Sequence, residues 1–222
     1  KAAREGAVGF VVEDAGKFAR QTDDNTVWML ANHSPVTWVG VGGGALDHRE
    51  VLLMLAKDGA PTLTGGCAAP TLIEMPTNKS CAYVLDFDKD LQESAEWIVA
   101  LPKQMDATRS VALSISMLGV KEIGQQAKFT LSWKKVASPQ ELDAPYSGTA
   151  ETFAYYEDAG DSGTQLIVAS NTINLSTMTP SGLVQFRLTR VADDGADSYI
   201  HDARVLGISL DYYQTHLNTP NS

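Results

Sequence analysis

The feature that most restricts how this chain can fold is the two-residue repeat of its apolar side chains beyond position 78. Ala127, Phe129, Leu131 and Trp133 alternate with Lys128, Thr130, Ser132 and Lys134, the cleanest case. Successive strand residues point to opposite faces, so this pattern describes a strand with one face buried and one wet. Cys81, Tyr83, Leu85 and Phe87 repeat it, as do Val111, Leu113, Ile115 and Met117. Glu96–Leu101 around Trp97, Thr149–Tyr156, Gln165–Leu175, Leu183–Val191 and Arg204–Tyr213 complete a set of eight. In the last two the apolar faces are Val184, Phe186 and Leu188, then Leu206, Ile208, Leu210 and Tyr212. Turn-forming clusters such as Asp88–Asp90, Asp158–Gly163 and Asp193–Ser198 separate the segments, and no long amphipathic helix interrupts them. Eight antiparallel strands without helices are expected to close as two facing sheets, most simply a jelly roll. Periodicity leaves the strand order open.

The leading residues read as smaller β elements. Val8–Glu13, Lys17–Arg20, Thr26–Leu30 and Val36–Val41 are strand candidates broken by turn chemistry at Asp14-Ala15-Gly16, Asp23-Asp24-Asn25 and Asn32–Pro35. A ribbon of this size has little core of its own, so Phe10, Phe18, Trp28 and Trp38 are expected to be anchoring or oligomer contacts. Gly40–Gly44 breaks the pattern and reads as a hinge, since a nucleotide-binding glycine loop needs a helix directly after it. Asp47 and Glu50 have capping-box spacing before Val51–Lys57, which predicts a short helix ending at Asp58-Gly59-Ala60-Pro61. The expected fold class is therefore all-β: an N-terminal β-hairpin anchor over 1–44, a short helix and linker over 45–77, and an eight-stranded jelly-roll or β-sandwich domain over 78–222.

Charge narrows the partners. Of 222 residues, 27 are acidic and 17 basic, a net charge of −10. From Pro139 onward there are three bases (Arg187, Arg190, Arg204) and eleven acids. That field repels phosphate backbones and anionic bilayer surfaces, so nucleic acid is not expected as a partner. The apolar run Val51–Ala56 is six residues long, whereas a membrane-spanning helix needs about 20. No membrane insertion is expected. Cys67 and Cys81 belong to no C-x-x-C pair, and no secretory signal core is visible in Lys1–Gly6; free thiols are the expectation.

Chemistry-bearing motifs are sparse. His33, His48, His201 and His216 show no metal-ligand spacing, and no G-x-S-x-G occurs. Glu151 and Glu157, with Asp158 and Asp161, are the carboxylates to weigh for glycoside cleavage, but they adjoin a Gly-containing turn where acids serve solubility. Asp193-Asp194-Gly195-Ala196-Asp197 lacks the alternate spacing of a calcium loop and reads as a solvated turn. No catalytic residue, cofactor or metal is expected. Tyr155-Tyr156 and Tyr212-Tyr213 place one ring on each face of a strand, so their outward rings are the candidates for stacking on a glycan or filling an interface.

Two segments resemble known proteins. Val8–Arg20 (VGFVVEDAGKFAR), followed by Val27-Trp28, resembles the short repeat of tailed-bacteriophage fibre and spike proteins, with Phe18-Ala19-Arg20 where that repeat has a Tyr-Arg step. Gly182–Arg190 (GLVQFRLTR), Asp193–Asp197 and Asp202–Tyr212 (DARVLGISLDY) are similar to the C-terminal β-domain of many phage virion proteins, and the likeness extends over about 140 residues. The resemblance implies a jelly roll, usually trimeric, on the outside of a capsid, tail or baseplate, with no cofactor and no catalytic residues. The expected role is thus a non-enzymatic virion component, assembled in the host cytoplasm. In it a homotrimer, a capsid decoration protein or small head spike, docks on other virion proteins through its N-terminal region. The alternative is a tail-fibre or baseplate protein that recognises a host-surface carbohydrate through the C-terminal sandwich.

Overall fold

The structure is a computed structural model and describes residues 18–20, 27–33, 36–42, 49–75, 78–119, 124–136, 143–156 and 165–214. The chain divides into two compact units, Lys1–His48 with Gln214–Ser222, and Arg49–Tyr213. In the first, β1 (Phe18–Arg20), β2 (Val27–His33) and β3 (Val36–Gly42) form an antiparallel sheet in that order. Phe18 lies opposite Met29, and Leu30 opposite Trp38. His33 ends β2, where the sequence suggests a turn. Phe10 lies outside the described residues, as do the rings of Phe18, Trp28 and Trp38.

The second unit begins with β4 (Arg49–Leu55), a single 3-10 turn (Ala56–Asp58), β5 (Ala60–Pro61) and β6 (Thr71–Glu74). All eight alternating segments then form strands: β7 (Cys81–Phe87), β8 (Glu93–Ala100), β9 (Val111–Gly119), β10 (Gln125–Val136), β11 (Gly148–Tyr156), β12 (Gln165–Ile173), β13 (Leu183–Arg190) and β14 (Ala203–Tyr213). Two sheets result, with orders β11-β10-β13-β8-β5 and β12-β9-β14-β7-β6, and β4 added on β14. Among β7–β14 the first strand pairs with the last, the second with the seventh, the third with the sixth and the fourth with the fifth, all antiparallel. That nested pairing is a long hairpin rolled up on itself, which is the jelly roll. The strand order that periodicity leaves open is thereby fixed.

The expected helix over Val51–Lys57 is a correction. Those residues form β4 and the 3-10 turn, and β4 runs antiparallel to β14 from Arg49 opposite Tyr213 to Leu55 opposite Gly207. The cause is tertiary. β7 pairs with β14 only over Ala203–Val205, so the rest of that edge needs a partner, and β4 supplies it. A short apolar run carries no periodicity strong enough to refuse the strand. Its side chains alternate accordingly: Met54 is buried and Leu52 half-buried, while Val51, Leu53 and Leu55 are exposed.

The core is the space between the sheets. Leu85, Phe87, Leu113, Ile115, Phe129, Leu131, Phe186 and Leu188 are fully or almost fully buried there. Phe87 and Phe129 meet edge to face at 5.8 Å and 86°, the geometry that ring quadrupoles favour. β14 departs from its expected face in one place. A bulge lies between Val205 and Gly207, so Leu206 is only half-buried, with Ala203 and Val205 before it and Ile208, Leu210 and Tyr212 after it facing the core.

Candidate functional site

Arg190 closes β13 on the same inward parity as Val184, Phe186 and Leu188, and it is completely buried. Its Nε and Nη2 each donate to a carboxylate oxygen of Asp197 at 3.1 Å. Nη1 donates to the carbonyls of Phe87 (3.2 Å) and His201 (2.8 Å), and Nη2 also to that of Tyr199 (2.7 Å). Asp197 in turn accepts from the backbone N–H of Lys128 (3.0 Å) and Tyr199 (3.2 Å). A bidentate guanidinium–carboxylate pair with its remaining donors engaged is the arrangement that makes a buried charge tolerable. The pair ties the loop between β13 and β14 onto the end of the sandwich.

The neighbouring carboxylates are engaged too. Asp194 accepts from Lys128 Nζ at 2.7 Å, and Glu151 lies 3.2 Å from the same nitrogen. The hydrogen bond from Lys128, then that from the Ala196 N–H, holds the Asp194 carboxyl below its ordinary range. Asp193–Asp197 is thus a cation-pairing turn. Among the described residues no group of three or more His, Cys, Asp or Glu side chains is placed to hold a metal. Glu157, Asp158 and Asp161 lie outside the described residues, as do His48 and His216.

The outer face of the β11-β10-β13-β8 sheet carries a polar clip. Glu96 accepts from Tyr146 Oη, Gln185 Nε2 and Arg187 Nε, each at 2.7 Å. Arg187 and Lys134 also lie over the Tyr146 ring, at 4.7 and 4.9 Å from its centre. Burial alone would raise the Glu96 carboxyl, but the hydrogen bonds from Tyr146 and Arg187, the Arg187 charge and Gln185 together hold it below 4.5. A depressed folded value stabilises above the unfolded one and is lost as pH falls through the folded one. Glu96→Gln is therefore expected to cost about 1 kcal/mol at pH 7, discounted for the half-exposed Arg187. Urea midpoints against pH check it, the gap to the parent chain closing as pH drops below 4.5.

The four tyrosines separate. Tyr155 and Tyr156 lie on β11 opposite Gln126 and Gln125, and their rings lie outside the described residues. Tyr212 is a correction: it is only 3 % exposed, its ring is in the core, and it has no face to offer a glycan. Its hydroxyl donates to Glu50 at 2.9 Å, and burial, followed by Glu50, pushes its pKa up to about 12. Tyr213 is held between two guanidiniums, Arg109 at 3.3 Å and Arg49 at 4.5 Å from the ring centre, and Arg49 also donates to its hydroxyl.

Both thiols are free; Cys67 is buried and Cys81 exposed. Burial, then the charge of Glu93, pushes the Cys67 thiol up to about 12. Thiolate is the reactive form, so a thiol reagent at pH 8 is expected to label Cys81 within minutes and Cys67 only after unfolding, as peptide mass spectrometry would show.

One cleft of about 350 Å³ opens where the edge strands β11 and β12 approach each other. Its floor is Trp133 and Ile173, and its walls carry Thr149, Thr172, Asn174 and Ser176. Sequence reasoning missed it, because its residues come from three separated segments. Gly148 beside the indole is the local requirement. A Cβ there would fall 2.2–2.4 Å from Trp133 Cε2, Cζ2 and Nε1, so only glycine lets the ring lie as it does.

No known protein-family profile matches the chain, and no curated protein matches it in sequence. Among solved structures it is similar to a family 35 carbohydrate-binding module from Clostridium thermocellum, at 12 % identity and a TM-score of 0.41, over 72 % of this chain and 97 % of that one. It is similar to the enzymatically active domain of tailspike protein 4 of bacteriophage CBA120, at 11 % identity and a TM-score of 0.28, over 79 % of this chain and 21 % of that one. A chain of infectious bursal disease virus, Gx strain, matches at 12 % identity and a TM-score of 0.28, over 85 % of this chain and 37 % of that one. These neighbours are β-sandwich folds of the jelly-roll type, and the assignment of this chain rests on its own strand order.

Proposed function

We propose that this chain is a non-enzymatic structural component of a tailed-phage particle, a trimeric capsid decoration protein or small surface spike. It docks on other virion proteins through residues 1–44, with Phe10, Phe18, Trp28 and Trp38 as contacts. The observation that carries this reading is what the residues of the phage-like segment do. Arg190 and Asp197 clamp the loop between β13 and β14, Arg204 Nε pairs with Asp86 at 3.4 Å across β14 and β7, and Tyr212 fills the core. The residues that carry the resemblance thus hold a sandwich together, as a shared structural module requires.

Self-association is supported by the outer face of the sheet containing β9 and β14. Its centre is flat and small, with Ser209, Ser114 and Ser170 in one row and Gly207 and Ser116 in the next. Aliphatic side chains rim it on both sides: Val51 (56 % exposed) and Leu53 (60 %) on β4, Leu166 (63 %) and Val168 (53 %) on β12. Two unlike rims around a shallow trough suit a head-to-tail contact between copies that closes into a ring. Light scattering of the full chain tests this. The expected mass is three times 23.8 kDa, falling to one copy on Leu53→Glu; a monomer at micromolar concentration in the parent chain overturns the trimer. Quantitative peptide analysis of purified particles tests the location, and absence from the particle overturns it. A bond-cleaving activity lost on Glu151→Gln would overturn the non-enzymatic role.

A further inference from the structure

The cleft over Trp133 has a lining that the particle role does not use. Its walls are hydroxyls and one amide, and among the described residues no charged side chain lines it. Among the described residues Thr172 Oγ1, Asn174 Nδ2 and Ser176 Oγ have no protein hydrogen-bond partner, while Asn174 Oδ1 is fixed by the Ser176 N–H at 2.8 Å. That bond orients the amide so that its N–H₂ is left for something else. The floor is apolar, being Ile173 and the indole.

The two well-buried indoles of the sandwich make a telling contrast. Trp97 Nε1 donates to the Leu55 carbonyl at 3.0 Å. Trp133 Nε1 has no partner among the described residues and is not one of the buried orphaned atoms, which leaves its N–H towards the cleft that the ring lines. The Trp133 N–H is therefore open to an acceptor that enters the cleft from outside.

Size and chemistry then select the ligand class. A volume of 350 Å³ falls at the small end of the range of about 300–1,000 Å³ for small-molecule sites. An anion or cation would meet no counter-charge. A hydrocarbon would strand the hydroxyls and the indole N–H, at a cost for each group. A ring with hydroxyls around its edge and C–H groups on its face satisfies both walls and floor.

We propose that this cleft binds one ring of a neutral saccharide, with Asn174 and Trp133 Nε1 as donors, Thr172 and Ser176 as hydroxyl partners, and Ile173 beneath the sugar's C–H face. The site and the particle role are independent: mass and location read one, ligand titration the other.

Amide and indole N–H spectra of the full-length ¹⁵N-labelled chain test it, titrated separately with glucose, galactose, mannose and N-acetylglucosamine at millimolar concentration. The expected result is saturable shifts for at least one sugar, confined to the Trp133 indole N–H and to residues 147–150 and 172–177. Asn174→Ala, a change at an exposed position that also removes the acceptor of the Ser176 N–H, is expected to weaken that sugar at least tenfold while the urea midpoint moves no further than the loss of that one exposed turn bond allows. Trp133 anchors the core and is left in place. No saturable shift with any of the four, or shifts centred elsewhere, overturns the proposal. A stronger response to glucuronic acid than to the neutral sugars overturns the ligand class.

Discussion

Asp197→Ala is expected to remove about 3–5 kcal/mol of folding free energy, the range for leaving one member of a buried ion pair alone. Arg190 is a guanidinium with no exposed surface. In the native chain Asp197 balances that charge through two hydrogen bonds of 3.1 Å. Alanine leaves the guanidinium buried with only carbonyl partners and removes the carboxylate that accepts from the Lys128 N–H, while the Tyr199 N–H keeps the Gln126 carbonyl at 3.1 Å. Urea unfolding at pH 7 measures the loss, and hydrogen exchange should show the loop between β13 and β14 opening first. The informative control is Arg190→Met with Asp197→Leu. Replacing both charges with apolar groups removes the desolvation burden together with the attraction, so the double variant should be more stable than Asp197→Ala alone. A loss below 1 kcal/mol for Asp197→Ala would mean that water reaches Arg190 and that the clamp is not buried.

Phe129→Ala is expected to be comparably severe, about 3–5 kcal/mol, as for other large-to-small changes in closed cores. Phe129 is completely buried in β10, near the middle of its sheet, and its ring meets that of Phe87 from the opposite sheet. Strands on both sides of β10 are held in register by continuous ladders, so the backbone has little freedom to collapse into the space. Part of the loss belongs to the edge-to-face contact. The sum of the Phe87→Ala and Phe129→Ala effects should therefore exceed the effect of the double change by about 0.5–1.5 kcal/mol. Equilibrium unfolding of the three variants gives all three quantities.

Much of this architecture is legible before any coordinates are seen, for an identifiable reason. A strand with one wet face writes its orientation into every second residue, and Ala127–Lys134 does so without exception. Strand order is not written there, because each strand's pattern is satisfied by any apolar neighbour. β4 misled because six apolar residues behind a capping-box spacing fit either state, and the vacancy along β14 that decided the matter lies about 155 residues away in the chain. Arg190 was legible in principle, since it stands on the inward parity of β13, where a lone base signals a buried partner. The bulge at Val205–Gly207 moved Leu206 off the expected face, and Gly207 marks it: a Cβ there would lie 2.7 Å from the Met54 carbonyl. The cleft was not legible at all. Trp133 follows the core pattern, and only the bare Cα of Gly148 and the position of Asn174–Thr177 make its edge an opening.

The pairing of Arg49 with Tyr213 across β4 and β14 means that the polypeptide goes into the sandwich and comes out of it at adjacent points. Domains whose ends meet are the ones most readily inserted, exchanged or deleted without disturbing the host chain. Recombination at two nearby junctions can therefore replace such a body and leave the rest of the polypeptide as it was.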